Sequence, residues 1–149
     1  MLLTPHLLTG AAIATKVHSP VFALILAFLS HYILDLPPQT EYSVEDIKEK
    51  RWRKSVLDFS KVFLDICLGA LLIFFFSENT FLIYAAAFLA ILPDGFTLLT
   101  IIFHKNKVLK IHWQFHRKLN ALSENKKISP FWGIFSQVAV IAAAIFFLI

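Results

Sequence analysis

Long apolar runs dominate the chain and predict its main elements. Three runs are close to the roughly 20 apolar residues that a helix needs to cross a bilayer: Val56–Phe76, Phe81–Phe103 and Ser129–Ile149. Two shorter apolar stretches, Leu7–Val17 and Val21–Leu36, precede them on either side of Pro20. Because the residue before a proline disfavours helix, these stretches predict either one bent span or a hairpin of two short helices. We favour the hairpin.

The polar segments between the runs predict the orientation. Pro37–Ser55 and His104–Ile128 are rich in Lys and Arg, whereas the short connection Ser77–Thr80 has no basic residue. Basic residues near span ends are retained on the cytoplasmic side of a membrane. The sequence therefore predicts a multi-pass protein of the plasma (inner) membrane whose basic loops are cytoplasmic.

Two helices are predicted within the basic segments. Ser43 and the acidic residues after it form a helix start, and Ile47, Arg51 and Lys54 continue at helical spacing. The second helix covers roughly 107–122, with an apolar stripe made of Val108, Ile111, Phe115, Leu119 and Leu122. Its other face is basic, so it is expected either to lie in the headgroup plane or to pack over the bundle.

Composition strengthens the membrane interpretation. Of the 149 residues 58% are hydrophobic, and the mean hydropathy is +0.70, which exceeds what one soluble core of this size would bury. The prediction is an all-α polytopic bundle forming a single integral membrane domain, 1–149, with the N-terminal hairpin, three longer spans and two cytoplasmic interfacial helices. The segment beginning Met1-Leu2-Leu3-Thr4 lacks a basic leader region and is treated as mature structure.

Charge and cysteine content narrow the possible partners. The formal charge is +4, but the basic residues lie between apolar runs, so we expect a lipid bilayer and anionic headgroups as partners rather than nucleic acid. Cys67 is the only cysteine, which excludes an internal disulfide or a cysteine zinc site. Any metal must therefore be held by His and carboxylate side chains.

Several ionisable residues lie inside or beside apolar helices, where they are costly unless they have a partner or a role. His31 and Asp35 are four residues apart and share a helix face, as do His112 and His116. Asp94 lies between Pro93 and Gly95, which predicts either a break in the helix at 81–103 or an ordinary turn. Metal binding and chance occurrence both remain open for each of these motifs taken alone.

The hairpin would gather these residues at the cytoplasmic end of the bundle, because it returns His6 to the level of His31. Six residues then form the candidate metal site: His6, His31, Asp35, Asp94, His112 and His116. A His and carboxylate set suits a divalent metal, zinc first, with manganese or iron as alternatives. Asp35 and Asp94 are the candidate catalytic residues, and His104 stands nearby without an assigned role.

A separate polar stripe lies on the predicted span 56–76. Lys61 is within helical reach of both Asp58 and Asp65, so an internal salt bridge is the first explanation. Asp65 lies deeper and is alternatively expected to orient a ligating histidine.

Three motifs resemble elements of the YdjM-like family of bacterial membrane-bound metal-dependent hydrolases: Thr4-Pro5-His6, the segment 29–35 (Leu-Ser-His-Tyr-Ile-Leu-Asp) and Leu92-Pro93-Asp94. The resemblance implies metal ligands at His6, His31, Asp35 and Asp94, with a later histidine such as His116 completing the set. The order of the Pro-Asp and Ser-His elements is reversed relative to that family, and Phe96-Thr97 follow Gly95 where the family commonly has a second Asp.

The sequence therefore predicts a metal-dependent hydrolase acting on a phosphoester. This substrate is anionic, and one version of the hypothesis links it to a lipid. A bound ion would activate water and stabilise charge on the phosphoryl oxygens, and Lys110 and Arg117 would hold the anionic group. The alternative is a non-enzymatic membrane scaffold or small transporter with structurally paired charges. A weaker third possibility is that the basic helix at 107–118 recruits a cytoplasmic partner.

Overall fold

The computed structural model describes residues 1–37, 45–49, 51, 53–103, 105–124 and 129–149. These residues contain no strand and form seven helices: α1 Leu3–Lys16, α2 Pro20–Leu34, α3 Glu45–Lys48, α4 Ser55–Phe76, α5 Phe81–Ile102, α6 Lys107–Glu124 and α7 Pro130–Leu148. The predicted all-α bundle is confirmed, and the long apolar runs of the sequence correspond to α4, α5 and α7.

Three helices are long and apolar enough to cross a membrane: Ser55–Phe76, Phe81–Ile101 and Phe131–Leu148. Large apolar side chains on all three are exposed, including Phe63 and Phe75 of α4, Phe88 of α5 and Phe146 of α7. Water would disfavour so much exposed apolar surface on a monomer of this size, whereas lipid would not. These are the helices of a membrane protein.

α1 is the central helix, and it packs against α2, α4, α5 and α7. Glycine makes two of these approaches close: a Cβ on Gly10 would lie 2.7 Å from the carbonyl oxygen of Ala86, and one on Gly69 of α4 would lie 2.5 Å from a methyl carbon of Leu7. Small residues at such contacts let membrane helices pack backbone to backbone, which lipid-embedded bundles need because apolar burial alone gives little driving force.

α1 and α2 form the predicted hairpin, joined at Val17–Ser19. The hairpin is confirmed by its two ends, because the ring centroids of His6 and His31 lie 4.3 Å apart. Pro20 occupies the first turn of α2, where its missing N–H has no helical partner to lose. The sequence placed the break correctly at this proline.

Polar side chains from two other helices hold the start of α1 inside the bundle. Asp65 of α4 accepts hydrogen bonds from the backbone N–H groups of Leu3 and Thr4 and from the Thr4 hydroxyl. Gln137 of α7 accepts another from the N–H of Leu2 at 3.1 Å. The first N–H groups of a helix have no intrahelical partner, so these side chains satisfy donors that would otherwise be buried without one.

α6 turns back along α5 after the short connection that follows Phe103. The Thr100 hydroxyl donates to the Leu109 carbonyl at 3.2 Å, and one turn further the rings of Phe96 and His112 lie 5.4 Å apart. The two helices are therefore antiparallel over this stretch. Leu109, His112 and His116 face the bundle, whereas three members of the predicted apolar stripe are exposed: Val108, Ile111 and Phe115.

Two local predictions need correction. The expected break at Pro93–Gly95 is wrong, because α5 continues from Phe81 to Ile102 with Pro93 inside it. The first surface helix is shorter than expected: α3 ends at Lys48, and Arg51 lies beyond it in ion pairs with Asp46 and Glu49. Its predicted cap, Ser43, lies outside the described residues.

The salt bridge on α4 is confirmed for one of the two predicted acids. Lys61 donates to Asp58 at 3.0 Å, and Asp58 also accepts from the N–H of Asp46, which ties α3 to α4. Asp65 instead binds the start of α1, as described above. The sequence spacing alone did not distinguish these two carboxylates.

Candidate metal centre

Four side chains from three parts of the chain meet at one point. His31 is in the last turn of α2, Asp35 caps that helix, Asp94 is in α5 and His116 is in α6. One potential ligand atom from each lies within 4.8 Å of all the others. We call these four residues the quartet. His31, Asp35 and His116 are buried, whereas the side chain of Asp94 is 32% exposed.

Each helix contributes to the quartet for a local reason. His31 and Asp35 are one turn apart, so both project from the same side of the α2 terminus, and His31 Nε2 lies 3.3 Å from Asp35 Oδ2. The proline at 93 has no N–H and its ring crowds the preceding turn of α5. In that turn the Ala90 carbonyl lies 2.9 Å from His31 Nδ1. α5 therefore both supplies Asp94 and orients the first histidine.

The hydrogen bonding of His31 requires either a proton or a metal cation at the centre of the quartet. A carbonyl oxygen only accepts, so Nδ1 of His31 donates to Ala90, and in a neutral imidazole Nε2 then carries a lone pair. This Nε2 lies 3.0 Å from Nε2 of His116 and 3.6 Å from Oδ1 of Asp94. Lone pairs of imidazole and carboxylate that face one another repel, so either a proton or a metal cation must lie among them.

The spacing of each histidine from the other members of the quartet fits a small divalent metal. Ligand atoms of a tetrahedral zinc site, with bonds of about 2.0–2.1 Å, are about 3.3 Å apart. His116 Nε2 lies 3.4 Å from Asp35 Oδ2 and 3.7 Å from Asp94 Oδ1, and the distances from His31 range from 3.0 to 3.6 Å. A ligating histidine typically donates its second nitrogen to a carbonyl, as His31 does to Ala90.

His6 lies beside the quartet on the central helix. Its Nε2 is 3.3 Å from Asp35 Oδ1, its ring stacks on His31, and the side chain is completely buried. Neither ring nitrogen makes a hydrogen bond of good geometry within the described parts of the chain. The N-terminal ammonium of Met1 also contacts Asp35 Oδ1, at 3.1 Å. One oxygen of Asp35 thus faces Met1 and His6, and the other faces the quartet.

His112 lies one turn before His116 on α6 but points to a different partner. Its Nε2 is 3.1 Å from the Tyr32 hydroxyl, and its ring stacks on His116 with centroids 5.8 Å apart. Burial lowers the pKa of His112, and the neighbouring imidazoles of His116 and His31 lower it further. The neutral form is favoured, which suits a histidine beside a cation.

The structure brings most of the predicted site residues together. His31, Asp35, Asp94 and His116 form the quartet, His6 contacts it through Asp35, and His112 stacks against it. His104 lies outside the described residues. Tyr32 was not among the predicted site residues, although its place beside His31 in the motif was a signal. The roles of the Ala90 carbonyl and of Asp65 had no sequence signal, because both depend on which helices pack together.

Comparison of the chain with family models, curated proteins and solved structures finds no match. The functional assignment therefore rests on the residues themselves.

Proposed function

We propose that this chain is a membrane-bound, metal-dependent hydrolase of a phosphoester. The observation that carries the proposal is the quartet of His31, Asp35, Asp94 and His116. Its ligand atoms converge within 4.8 Å where α2, α5 and α6 of a membrane bundle meet. Ionisable groups in such a place are costly and are therefore functional by default. The proposed cofactor is zinc, because paired imidazoles and carboxylates without thiolate suit it, with manganese or iron as the alternatives.

The residues of the site have distinct proposed roles. The quartet holds the ion, which when bound acts as a Lewis acid on the phosphoryl group and makes water a better nucleophile. Asp94 is the proposed proton acceptor, since it is the member of the quartet whose side chain is partly exposed. His6 and Asp35 form the buried side, where they fix the geometry and exclude water. Lys110 and Arg117, exposed on α6, are suited to attract an anionic group.

The proposed location is the plasma membrane, with the basic segments and the quartet on the cytoplasmic side. Its support is the concentration of Lys and Arg between the apolar helices. We also propose distant membership of the YdjM-like hydrolase family. The support for membership is that the positions implied by that resemblance, His6, His31, Asp35, Asp94 and His116, lie in contact with one another.

Metal content of the purified protein tests the proposal directly. We expect stoichiometric zinc, manganese or iron by elemental analysis, with the metal lost in the double variant His31→Ala/Asp94→Ala. The Lys61→Ala variant, whose side chain pairs with Asp58 on α4, is the control and should retain its metal. Unchanged metal in the double variant would contradict the proposal.

Activity gives the second part of the test. Hydrolysis of a chromogenic phosphodiester should be abolished by a chelator and restored by zinc or manganese. An inert protein without bound metal would instead favour the alternative function, a membrane scaffold or small transporter whose buried acids are paired structurally, as Asp58 is with Lys61.

A further inference from the structure

The quartet lies at a level of the bundle where the neighbouring helices expose apolar side chains. On α5, Phe88 precedes Asp94 and is exposed, and Leu99 and Phe103 follow it and are also exposed. At a rise of 1.5 Å per residue, Phe103 lies about 13 Å beyond Asp94 along the helix axis. Asp94 is therefore within the apolar band of α5 and not at its end.

α6 extends the same apolar surface alongside the site. Because it runs antiparallel to α5, its His116 reaches the level of Asp94, at 3.7 Å from the carboxylate. On its outer side Val108, Ile111 and Phe115 are exposed. Long Lys and Arg side chains beside such an apolar stripe can reach headgroups while their helix stays against acyl chains.

The aromatic residues nearest to the quartet connect it to this outer surface. Tyr32 lies in edge contact with His31, at 5.5 Å between ring centroids, and in similar contact with Phe115 at 5.5 Å. Phe115 itself is 52% exposed as part of the stripe. Only two rings therefore separate the buried imidazole of His31 from the lipid-facing side of α6.

We infer that the substrate is an amphiphile, a lipid phosphoester whose acyl or alkyl chain stays in the bilayer while its phosphate reaches the quartet. This inference rests on the proposed hydrolase function. A lipid phosphate is already at the headgroup boundary, and the exposed Lys110 and Arg117 place positive charge on the helix that borders the site. Either kind of ester has to reach the level of Asp94, but the acyl or alkyl chain of a lipid holds its phosphate beside α5 and α6, whereas a water-soluble ester has no such anchor in the bilayer. The reaction is hydrolysis: a bond forms between the water oxygen and phosphorus, and the bond from phosphorus to the leaving oxygen breaks. One water proton passes to Asp94 and from there to the leaving oxygen, which departs as an alcohol, and the other remains with the phosphate product or passes to solvent.

Two chromogenic substrates that differ only in chain length isolate this recognition. Methyl p-nitrophenyl phosphate and hexadecyl p-nitrophenyl phosphate share the reacting phosphodiester and the leaving group. With zinc-loaded protein in phosphatidylcholine nanodiscs, we expect kcat/KM for the hexadecyl ester to exceed that for the methyl ester by at least about tenfold, since each buried methylene favours the bilayer-held substrate. Comparable values for both esters would overturn the inference.

A pair of surface variants separates recognition by the protein from simple partitioning into the nanodisc. Ile111 on α6 and Leu57 on α4 are matched in exposure, at 67% and 70%, and α4 packs against α1, α3 and α7 rather than forming the border of the site. We expect Ile111→Gln to lower kcat/KM for the hexadecyl ester severalfold, with metal content and methyl ester turnover unchanged. Leu57→Gln should change neither. Equal effects of the two variants would also overturn the inference.

The two proposals fail in different ways. Metal-loaded protein that cleaves the methyl ester as readily as the hexadecyl ester contradicts a lipid substrate and leaves the hydrolase standing. Protein that binds metal and cleaves neither ester contradicts the hydrolase itself, and the lipid inference with it.

Discussion

Two carboxylates, the half-buried Asp65 and the buried Asp35, serve opposite electrostatic purposes in this bundle. Asp65 faces donors: it accepts from the backbone N–H groups of Leu3 and Thr4 and from the Thr4 hydroxyl. The Asp35 oxygen that faces the quartet lies instead among imidazole nitrogens, at 3.3 Å from His31 and 3.4 Å from His116. A carboxylate that faces donors stabilises the fold, whereas carboxylates and imidazoles that face one another create a site for a cation.

The largest expected effect distinguishes the quartet from its neighbour on the same helix. His116→Ala should weaken zinc binding by more than about a hundredfold, because it removes a ligand, and His112→Ala should weaken it by only about tenfold, as is typical of a residue outside the ligand set. Competition with a zinc chelator of known affinity measures both in detergent. Equal losses in the two variants would mean that His112, whose Nε2 lies 3.1 Å from the Tyr32 hydroxyl, is itself a ligand.

The next effect tests the structural role of Asp65. Asp65→Ala leaves buried N–H groups of α1 without their acceptor, so we expect the free energy of unfolding to fall by about 2 kcal/mol, with a smaller loss in Asp65→Asn, which keeps one acceptor oxygen. Thermal unfolding in the presence of a chelator measures this loss without any contribution from metal. The prediction would be wrong if Asp65→Ala unfolded like the wild type in the presence of the chelator but bound metal poorly. Asp65 would then act together with the quartet rather than as a purely structural carboxylate.

The smallest of the three effects concerns how closely α1 approaches α5. Gly10→Ala introduces a methyl group 2.7 Å from the Ala86 carbonyl oxygen and from Ala90 Cβ, and we expect overpacking to destabilise the protein by about 1–2 kcal/mol. Gly95→Ala is the control, since no atom outside its own helical backbone lies within 4 Å of the new Cβ. The two unfolding midpoints should differ clearly, and equal midpoints would show that α1 tolerates a wider separation from α5.

The sequence alone determined the elements and their chemistry. Long apolar runs can satisfy their backbone groups in lipid only as helices, so the three spans were predictable, and Ser19-Pro20 marked the turn of the hairpin. The i, i+4 spacing placed His31 beside Asp35 before any fold was known. Ionisable residues are rare enough in apolar helices that His6, His31 and Asp94 stood out as candidates.

The tertiary structure decided which of these candidates meet, and how. Periodicity defines the face of a helix but not the neighbour that it packs against, so the antiparallel return of α6 along α5 and the placement of His116 against Asp94 followed only from packing. Asp58 and Asp65 have similar spacing from Lys61, yet one forms a salt bridge and the other holds the start of α1. Pro93 remained inside a continuous helix, and His31 Nδ1 bonds the Ala90 carbonyl in the turn before it. Contacts between distant segments depend on the shapes of all the helices together, and that information is not local to any motif.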